Sequence, residues 1–179
     1  MEFVEQALQG VFVIDIDRQE DSRGWFARSW AEEEFASNGL VSRISQCSIS
    51  YNKKQGTVRG MHYQAAPHQE TKLVSCVRGS IADVVVDLRP DSDTYMKHIT
   101  LELSAQNHRI LYIPAGCAHG FQTQEDETEV YYQISTPYAP EFARGVRWDD
   151  PMLTISWPLP VTVISDRDQQ YPDFTKSSH

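Results

Sequence analysis

The stretch GTVRGMHYQ, residues 56–64, alternates apolar and polar side chains and begins at a glycine turn. A period of two predicts a β-strand, in which Arg59 and His62 would point to opposite faces. Each of these polar groups needs a hydrogen-bond partner or a cavity if the strand is internal. Gly60 between them would let the strand bend so that both reach one pocket. The alternative is an edge strand whose arginine and histidine face water.

Most of the remaining chain also consists of short segments in which apolar residues recur with the period of a β-strand. These segments are 11–16, 44–51, 57–63, 72–77, 81–88, 98–103, 109–113, 128–135 and 161–164. Turn residues separate them, and one segment, 30–38, has helix-forming composition that ends at Gly39. The pattern predicts an all-β sandwich or barrel formed by a single domain over residues 1–179.

Composition excludes several classes of protein. The chain has 179 residues, with 16 Lys and Arg against 25 Asp and Glu, for a net charge of −9. Such an acidic surface repels a phosphate backbone, so nucleic-acid binding is not expected. No apolar run approaches the roughly 20 residues of a membrane helix. Three widely spaced cysteines favour neither a disulfide framework nor a zinc site, which predicts a cytoplasmic location.

Two further clusters carry groups suited to proton chemistry. In PAGCAHGF, residues 114–121, proline and glycine constrain the backbone around His119, which predicts a loop that aims an imidazole. In EVYYQ, residues 129–133, the adjacent Tyr131 and Tyr132 point to opposite faces of a strand. One of them therefore faces the interior, where its hydroxyl needs a partner or serves as an acid.

The segment 81–88 is apolar on both faces, as in a central strand. Asp83 and Asp87 are four residues apart and therefore share a face of this strand. One interpretation is that they form hydrogen bonds at a strand end or face solvent. The other is that they support an inward-facing catalytic group, and the sequence leaves both open.

These clusters resemble the cupin superfamily, whose fold is a double-stranded β-helix. Metal-binding cupins carry an H-x-H strand, a glutamate a few residues later, and a histidine after P-x-G. Here the second histidine is replaced by Gln64, while Glu70 and His119 fall at matching positions. Glutamine is a poor ligand for iron, zinc or manganese. A metal-dependent dioxygenase or isomerase that uses His62, Glu70 and His119 is one alternative, and a non-catalytic binding module is another.

A longer ordered set of motifs resembles the dTDP-4-dehydrorhamnose 3,5-epimerase family over about residues 10–174. The motifs are DSRGWF (21–26), the strand at Gln46, GTVRGMHYQ (56–64), TKLV (71–74), GSIADVVVDLR (79–89), IPAGCAHGF (113–121), YY (131–132), WDDP (148–151), WP (157–158) and ISDRD (164–168). The resemblance implies a cupin jelly roll with short peripheral helices. It also implies a homodimer in which an N-terminal strand joins the partner's sheet.

The resemblance implies an epimerase of a nucleotide-diphospho-4-keto-6-deoxy hexose that uses no metal or organic cofactor. Such a reaction needs a base on one face of the sugar, an acid on the other, and a donor at the enolate oxygen. By resemblance His62 is the base and Asp168 orients it. Tyr132 is then the acid, and Lys72 stabilises the enolate oxygen.

The resemblance also places substrate contacts, among them arginines for the diphosphate and an aromatic residue that stacks on the base. The implied contact residues are Arg23, Arg28, Gln46, Ser48, Arg59, His119, Tyr138 and Arg167. A loop salt bridge is the alternative for Arg23, a solvated strand edge for Lys72, and a surface position for Tyr138.

Four departures from the family pattern fall among these contacts. Arg28 and Ala143 stand where the family often has glutamate, and Arg167 stands where it has lysine. Gln46-Cys47-Ser48 replaces the usual Gln-Asp-Asn. Because a charge reversal at a contact position alters which ligand is bound, the nucleotide, the sugar and the inverted centre stay open.

Overall fold

The computed structural model describes residues 1–175. Within these residues the chain forms thirteen strands, two short α-helices and one 3₁₀ turn. The elements are β1 (Glu2–Glu5), β2 (Phe12–Asp15), β3 (Gln19–Asp21), β4 (Gly24–Phe26), α1 (Glu32–Ser37), β5 (Gln46–Asn52), β6 (Val58–Gln64), β7 (Lys72–Arg78), β8 (Ser80–Asp87), β9 (His98–Ser104), β10 (Ile110–Ile113), β11 (Cys117–Thr123), β12 (Thr128–Ile134), the 3₁₀ turn (Pro140–Phe142), β13 (Ala143–Gly145) and α2 (Asp166–Gln169).

Two antiparallel sheets enclose the main core. One has the strand order β1-β2-β10-β7-β12-β5, and the other has the order β13-β6-β11-β8-β9. Buried apolar side chains from both sheets pack together, including Val74 and Leu111 from the first and Val85 and Phe121 from the second. The predicted all-β jelly roll with short helices is therefore confirmed. Strand β2 lies between β1 and β10 of its own chain, while β3 and β4 form a separate hairpin.

Two local predictions are wrong. The segment 161–164 is not a strand, because it meets the sheet only through an isolated bridge between Thr57 and Val163. Pro158 and Pro160 precede it and cannot donate to a ladder, which restricts regular pairing. His119 lies on the fully buried strand β11 rather than in a loop, since its backbone pairs with β6 and β8.

A bulge between β6 and β11 brings Arg59 and His62 to one side. His119 lies opposite His62, and Phe121, two residues on, lies opposite Arg59. A step of two residues along β11 therefore matches a step of three residues along β6. The extra residue in β6 changes which face of the sheet its side chains point to. Gly60 has φ 128°, and a Cβ there would lie 2.5 Å from the backbone of β11. The prediction that Gly60 lets both side chains reach one pocket is confirmed, and their expected placement on opposite faces is corrected.

Asp87 at the end of β8 is a structural carboxylate. It accepts hydrogen bonds from Arg89 Nε at 2.8 Å, and from the hydroxyls of Ser92 and Thr94 at 2.6 Å each. Burial acts to raise its pKa, but these donors together lower that pKa to about 2. The strand-end interpretation is therefore confirmed for Asp87.

We expect this carboxylate to make folding stability depend on pH in the acid range. Because its pKa in the folded chain is about 2, below the ordinary value of 3.8, its contribution is full above the ordinary value and is lost as pH falls through about 2. Asp87→Asn should lower the free energy of unfolding at neutral pH by about 3 kcal/mol. Urea unfolding at neutral pH measures the effect of the substitution. Urea unfolding from neutral pH down to about pH 2 measures the pH dependence of stability. The exposed Asp91→Asn is the control, and an equal loss in both variants would contradict the assignment.

Candidate active site

Two adjoining cavities open beside β6. The larger, of about 370 Å³, is lined by Arg59, His62 and Asp168 among others. The smaller, of about 130 Å³, shares His62 and Arg167 with the first and is also lined by Tyr138. Four other residues that the resemblance implied therefore line the same cavities as the imidazole of His62.

His62 and Asp168 form a hydrogen-bonded dyad, although 106 positions separate them in the sequence. The His62 Nε2 to Asp168 Oδ1 distance is 2.7 Å, and only 6% of the aspartate side chain is exposed. Asp168 also accepts from the Gly60 backbone N–H at 3.2 Å, and its own N–H is capped by Ser165 Oγ. Burial acts to raise the pKa of Asp168, but the hydrogen bond and charge of His62 with the other donors lower it overall. The carboxylate therefore stays ionised and fixes the imidazole.

Tyr132 lies on the other sheet and faces the interior, as expected for one of the two adjacent tyrosines. Its ring packs edge-on against His119, with the centroids 6.1 Å apart. Burial and then the negative charge of Asp83 raise the pKa of Tyr132, while a hydrogen bond with Ser50 acts in the opposite direction. The phenol therefore stays protonated, which is the state an acid needs.

His119 and Asp83 form a second histidine–aspartate pair. The His119 Nε2 to Asp83 Oδ1 distance is 2.8 Å, and the aspartate side chain is completely buried. Burial raises the pKa of Asp83, and His119 acts to lower it. Of the two interpretations left open for Asp83, support of an inward-facing histidine is the one observed. Because His119 lies opposite His62 in the sheet, the two pairs are neighbours.

Lys72 at the start of β7 is buried rather than a solvated edge residue. Its ammonium Nζ donates to the backbone carbonyl of His62 at 3.0 Å and forms an ion pair with Glu70 Oε1 at 3.0 Å. The lysine thus joins the six-stranded sheet to the strand that carries the dyad.

Arginine and tyrosine side chains at the opening of the two cavities contact neighbouring polar and aromatic groups, which fixes their positions in part. Arg59 Nε donates to Asn52 Oδ1 at 2.7 Å. A hydrogen bond with Tyr138 is the main cause that raises the pKa of Arg167. The guanidinium of Arg167 lies 5.9 Å from the ring centroid of Tyr171. Tyr138 itself is 55% exposed and remains accessible to a ligand.

Gln46 and Ser48 lie on the edge strand β5. Ser48 is the register partner of Tyr132, and Gln46, two positions before Ser48, lies on the same face of β5. Both side chains therefore line up beside the inward-facing tyrosine.

The structure does not bring Arg23 or Arg28 to this site within one chain. Arg23 lies in the β3–β4 hairpin, where its exposed guanidinium binds Asp21 at 2.6 Å. The loop salt bridge that the sequence offered as its alternative is thus present. Arg28 lines a separate depression with Asp17 and Glu34.

Three residues near the site were not predicted as parts of an epimerase site. Asn52 ends β5 on the face of Ser48, so the period of two gave a usable signal. Glu70 was considered only as a metal ligand, although its spacing from Lys72 also suits an ion pair. Tyr171 packs edge-on against His62 at 6.2 Å, and no local motif indicates this contact.

The three residues that the metal-binding alternative would use as ligands each pair with another side chain. His62 pairs with Asp168, His119 with Asp83, and Glu70 with Lys72. Within residues 1–175, no group of three or more His, Cys, Asp or Glu side chains is placed to hold a metal ion. The geometry therefore favours proton transfer over ligation for these histidines.

Comparison with known proteins agrees with this geometry. The family described as dTDP-4-dehydrorhamnose 3,5-epimerase matches residues 5–176. A relative of that name from Sinorhizobium fredii is 42% identical over 153 residues, which cover 85% of this chain and 78% of the relative. The crystal structure of such an enzyme from Elizabethkingia anophelis has a TM-score of 0.96 at 35% identity and covers 100% of this chain and 99% of its own. The Bacillus anthracis enzyme with TDP and PPi bound has a TM-score of 0.93 at 35% identity, covering 97% and 99% respectively.

The jelly roll, the His62–Asp168 dyad and the match to known epimerases define a carbohydrate epimerase of the cupin type. More specifically, the chain belongs to the dTDP-4-dehydrorhamnose 3,5-epimerase family.

Proposed function

We propose that this chain epimerises a dTDP-linked 4-keto-6-deoxy hexose at C3, at C5 or at both. The observation that carries the proposal is His62 on one sheet, paired with Asp168 of α2, together with the protonated Tyr132 on the other sheet. A base and an acid on opposite walls of one site are what inversion at a carbon requires.

The reaction follows from the chemistry of the ketone. The C4 carbonyl acidifies the protons on C3 and C5, and His62 removes one of them with the ring nitrogen that Asp168 does not hold. The ionised Asp168 stabilises the imidazolium without accepting the proton. Lys72 donates to the enolate oxygen, and Tyr132 then delivers a proton to the opposite face of the same carbon.

The mouth of the site suits a nucleoside diphosphate. Arg59 and Arg167 place two guanidinium groups beside the cavities that contain His62. Arginine pairs well with phosphate, and the exposed Tyr138 offers a face for the base. The relative that holds TDP supports the thymidine nucleotide as the carrier. A local cationic site of this kind is compatible with a net charge of −9.

The same proposal includes a homodimer. The outer face of the six-stranded sheet exposes Ile49 by 66%, Val77 by 49% and Tyr51 by 44%, and the β3–β4 hairpin exposes Phe26 by 74%. Large exposed apolar side chains favour a protein partner, and a second copy would cover them. The hairpin would then carry Arg23 towards the partner's site, which accounts for its distance from its own site.

The proposal includes a cytoplasmic location. Cys47, Cys76 and Cys117 are free, as expected in a reducing compartment. None of the helices within residues 1–175 is long and apolar enough to cross a membrane.

Deuterium wash-in tests the activity directly. Incubation of dTDP-4-keto-6-deoxyglucose with the protein in D₂O should introduce deuterium at C3, C5 or both, at least ~1000-fold faster than without protein. NMR of the sugar identifies the labelled carbon and its configuration. A parallel binding series with dTDP, CDP, GDP and UDP identifies the nucleotide. The absence of exchange at high protein concentration would refute the proposed function.

A further inference from the structure

The buried ion pair between Glu70 and Lys72 lies at the wall of the candidate active site. Only 8% of the lysine side chain and 9% of the glutamate side chain are exposed. Glu70 lines the same small cavity as His62 and Tyr138. A carboxylate at the wall of a site for an anionic substrate repels that substrate unless its charge is neutralised. The ion pair with Lys72 supplies that neutralisation for Glu70.

The geometry of the lysine leaves one N–H that neither of its two partners occupies. An ammonium has three N–H groups. One donates to the His62 carbonyl at 3.0 Å and a second is directed at Glu70 Oε1 at 3.0 Å. Two fixed partners determine the direction of the third N–H, whereas a lysine without them would sample many rotamers.

The glutamate is also a counter-charge for the lysine, with Oε1 3.0 Å from Nζ. Asp83 contributes negative charge nearby, but its carboxylate is bonded to His119. Glu70 is therefore the carboxylate in direct contact with this ammonium.

The backbone beside Glu70 is itself fixed. The Thr71 N–H donates to Ser135 Oγ at 2.8 Å, and the Ser135 N–H donates to the Thr71 carbonyl at 3.0 Å. This two-way link to the end of β12 holds the segment before β7 in place. The carboxylate thus lies at a defined point rather than on a mobile loop.

We propose that Glu70 is a positioning residue, which holds the Lys72 ammonium in place and directs its remaining N–H at the enolate oxygen of the substrate. This role rests on the proposed epimerase function and extends it to a residue that takes no proton from the sugar. Glu70 acts through Lys72, so its effect on the rate must depend on the presence of the lysine.

A double-mutant cycle tests this dependence. Glu70→Gln keeps the size of the side chain and removes its charge, and we expect wash-in of deuterium to slow by about 10- to 100-fold with KM changed by less than about threefold. In a Lys72→Met background the same change should have little further effect, because the group that Glu70 positions is gone. Thermal melting and circular dichroism establish that all variants are folded. The matched control is Asp126→Asn, which removes a carboxylate from the exposed pair with Lys54 and should leave the rate unchanged.

The outcomes separate the two proposals. If the wild type exchanges and Glu70→Gln exchanges at the same rate, the positioning role is overturned and the proposed function stands. A similar loss with and without Lys72 would also overturn it, because the glutamate would then act independently of the lysine. Absence of exchange in the wild type would overturn the proposed function and the positioning role together.

Discussion

His62→Ala is expected to remove deuterium wash-in at both C3 and C5, with a loss of at least ~1000-fold in rate. The reason is that the same imidazole is the group placed to take either proton, and the rest of the dyad cannot replace it. Asp168 is 6% exposed and is directed at His62, so it lacks direct access to the sugar. Proton NMR of the ketosugar in D₂O measures the rate at each carbon separately.

The control for this change is another histidine on a strand. His98→Ala on β9 lies outside both cavities and should exchange at the wild-type rate. The side chain of His62 is 42% exposed, so its truncation should leave the fold intact. Residual exchange at one carbon only would show that a second base serves that carbon, which would contradict the single-base mechanism.

Most of the sheet was predictable from the sequence because strand periodicity is a local property. The segments around β7, β8, β9 and β12 were placed to within about two residues. The bulge at Gly60 was foreseen only as a bend, since its effect on side-chain direction depends on how β6 pairs with β11. Strand β11 was interpreted as a loop because Pro114 and Gly116 precede it and Gly120 lies within it, although the strand is buried on both faces.

The site was less predictable because its residues come together through tertiary structure. Asp168 lies on the four-residue helix α2, which packs on β6 although no sequence period links the two. The family resemblance supplied this pairing, and periodicity could not have done so. The same resemblance placed Arg23 among the substrate contacts, yet Arg23 lines a depression of its own hairpin and neither of the two cavities beside β6.

Tyr132→Phe is expected to separate the two halves of the reaction. Net inversion should fall by about 100- to 1000-fold, because the proposed mechanism assigns the phenol as the acid on the face opposite His62. Wash-in should fall by less than about tenfold, because His62 still removes the proton without the phenol. The exposed part of His62 lets the abstracted proton exchange with solvent, so deuterium would return to the original face with retained configuration.

Two measurements on one sample distinguish these outcomes, since mass reports the label and NMR coupling constants report the configuration. Tyr131→Phe on the outer face of the same strand is the matched control and should retain both activities. Burial and the Asp83 carboxylate raise the pKa of Tyr132, so the acid should stay protonated, and inversion should survive, as pH rises to the ordinary value of 10.0. If label and inversion instead fall by the same factor, Tyr132 takes part in proton removal as well, and the assignment of separate roles to the two walls of the site is wrong.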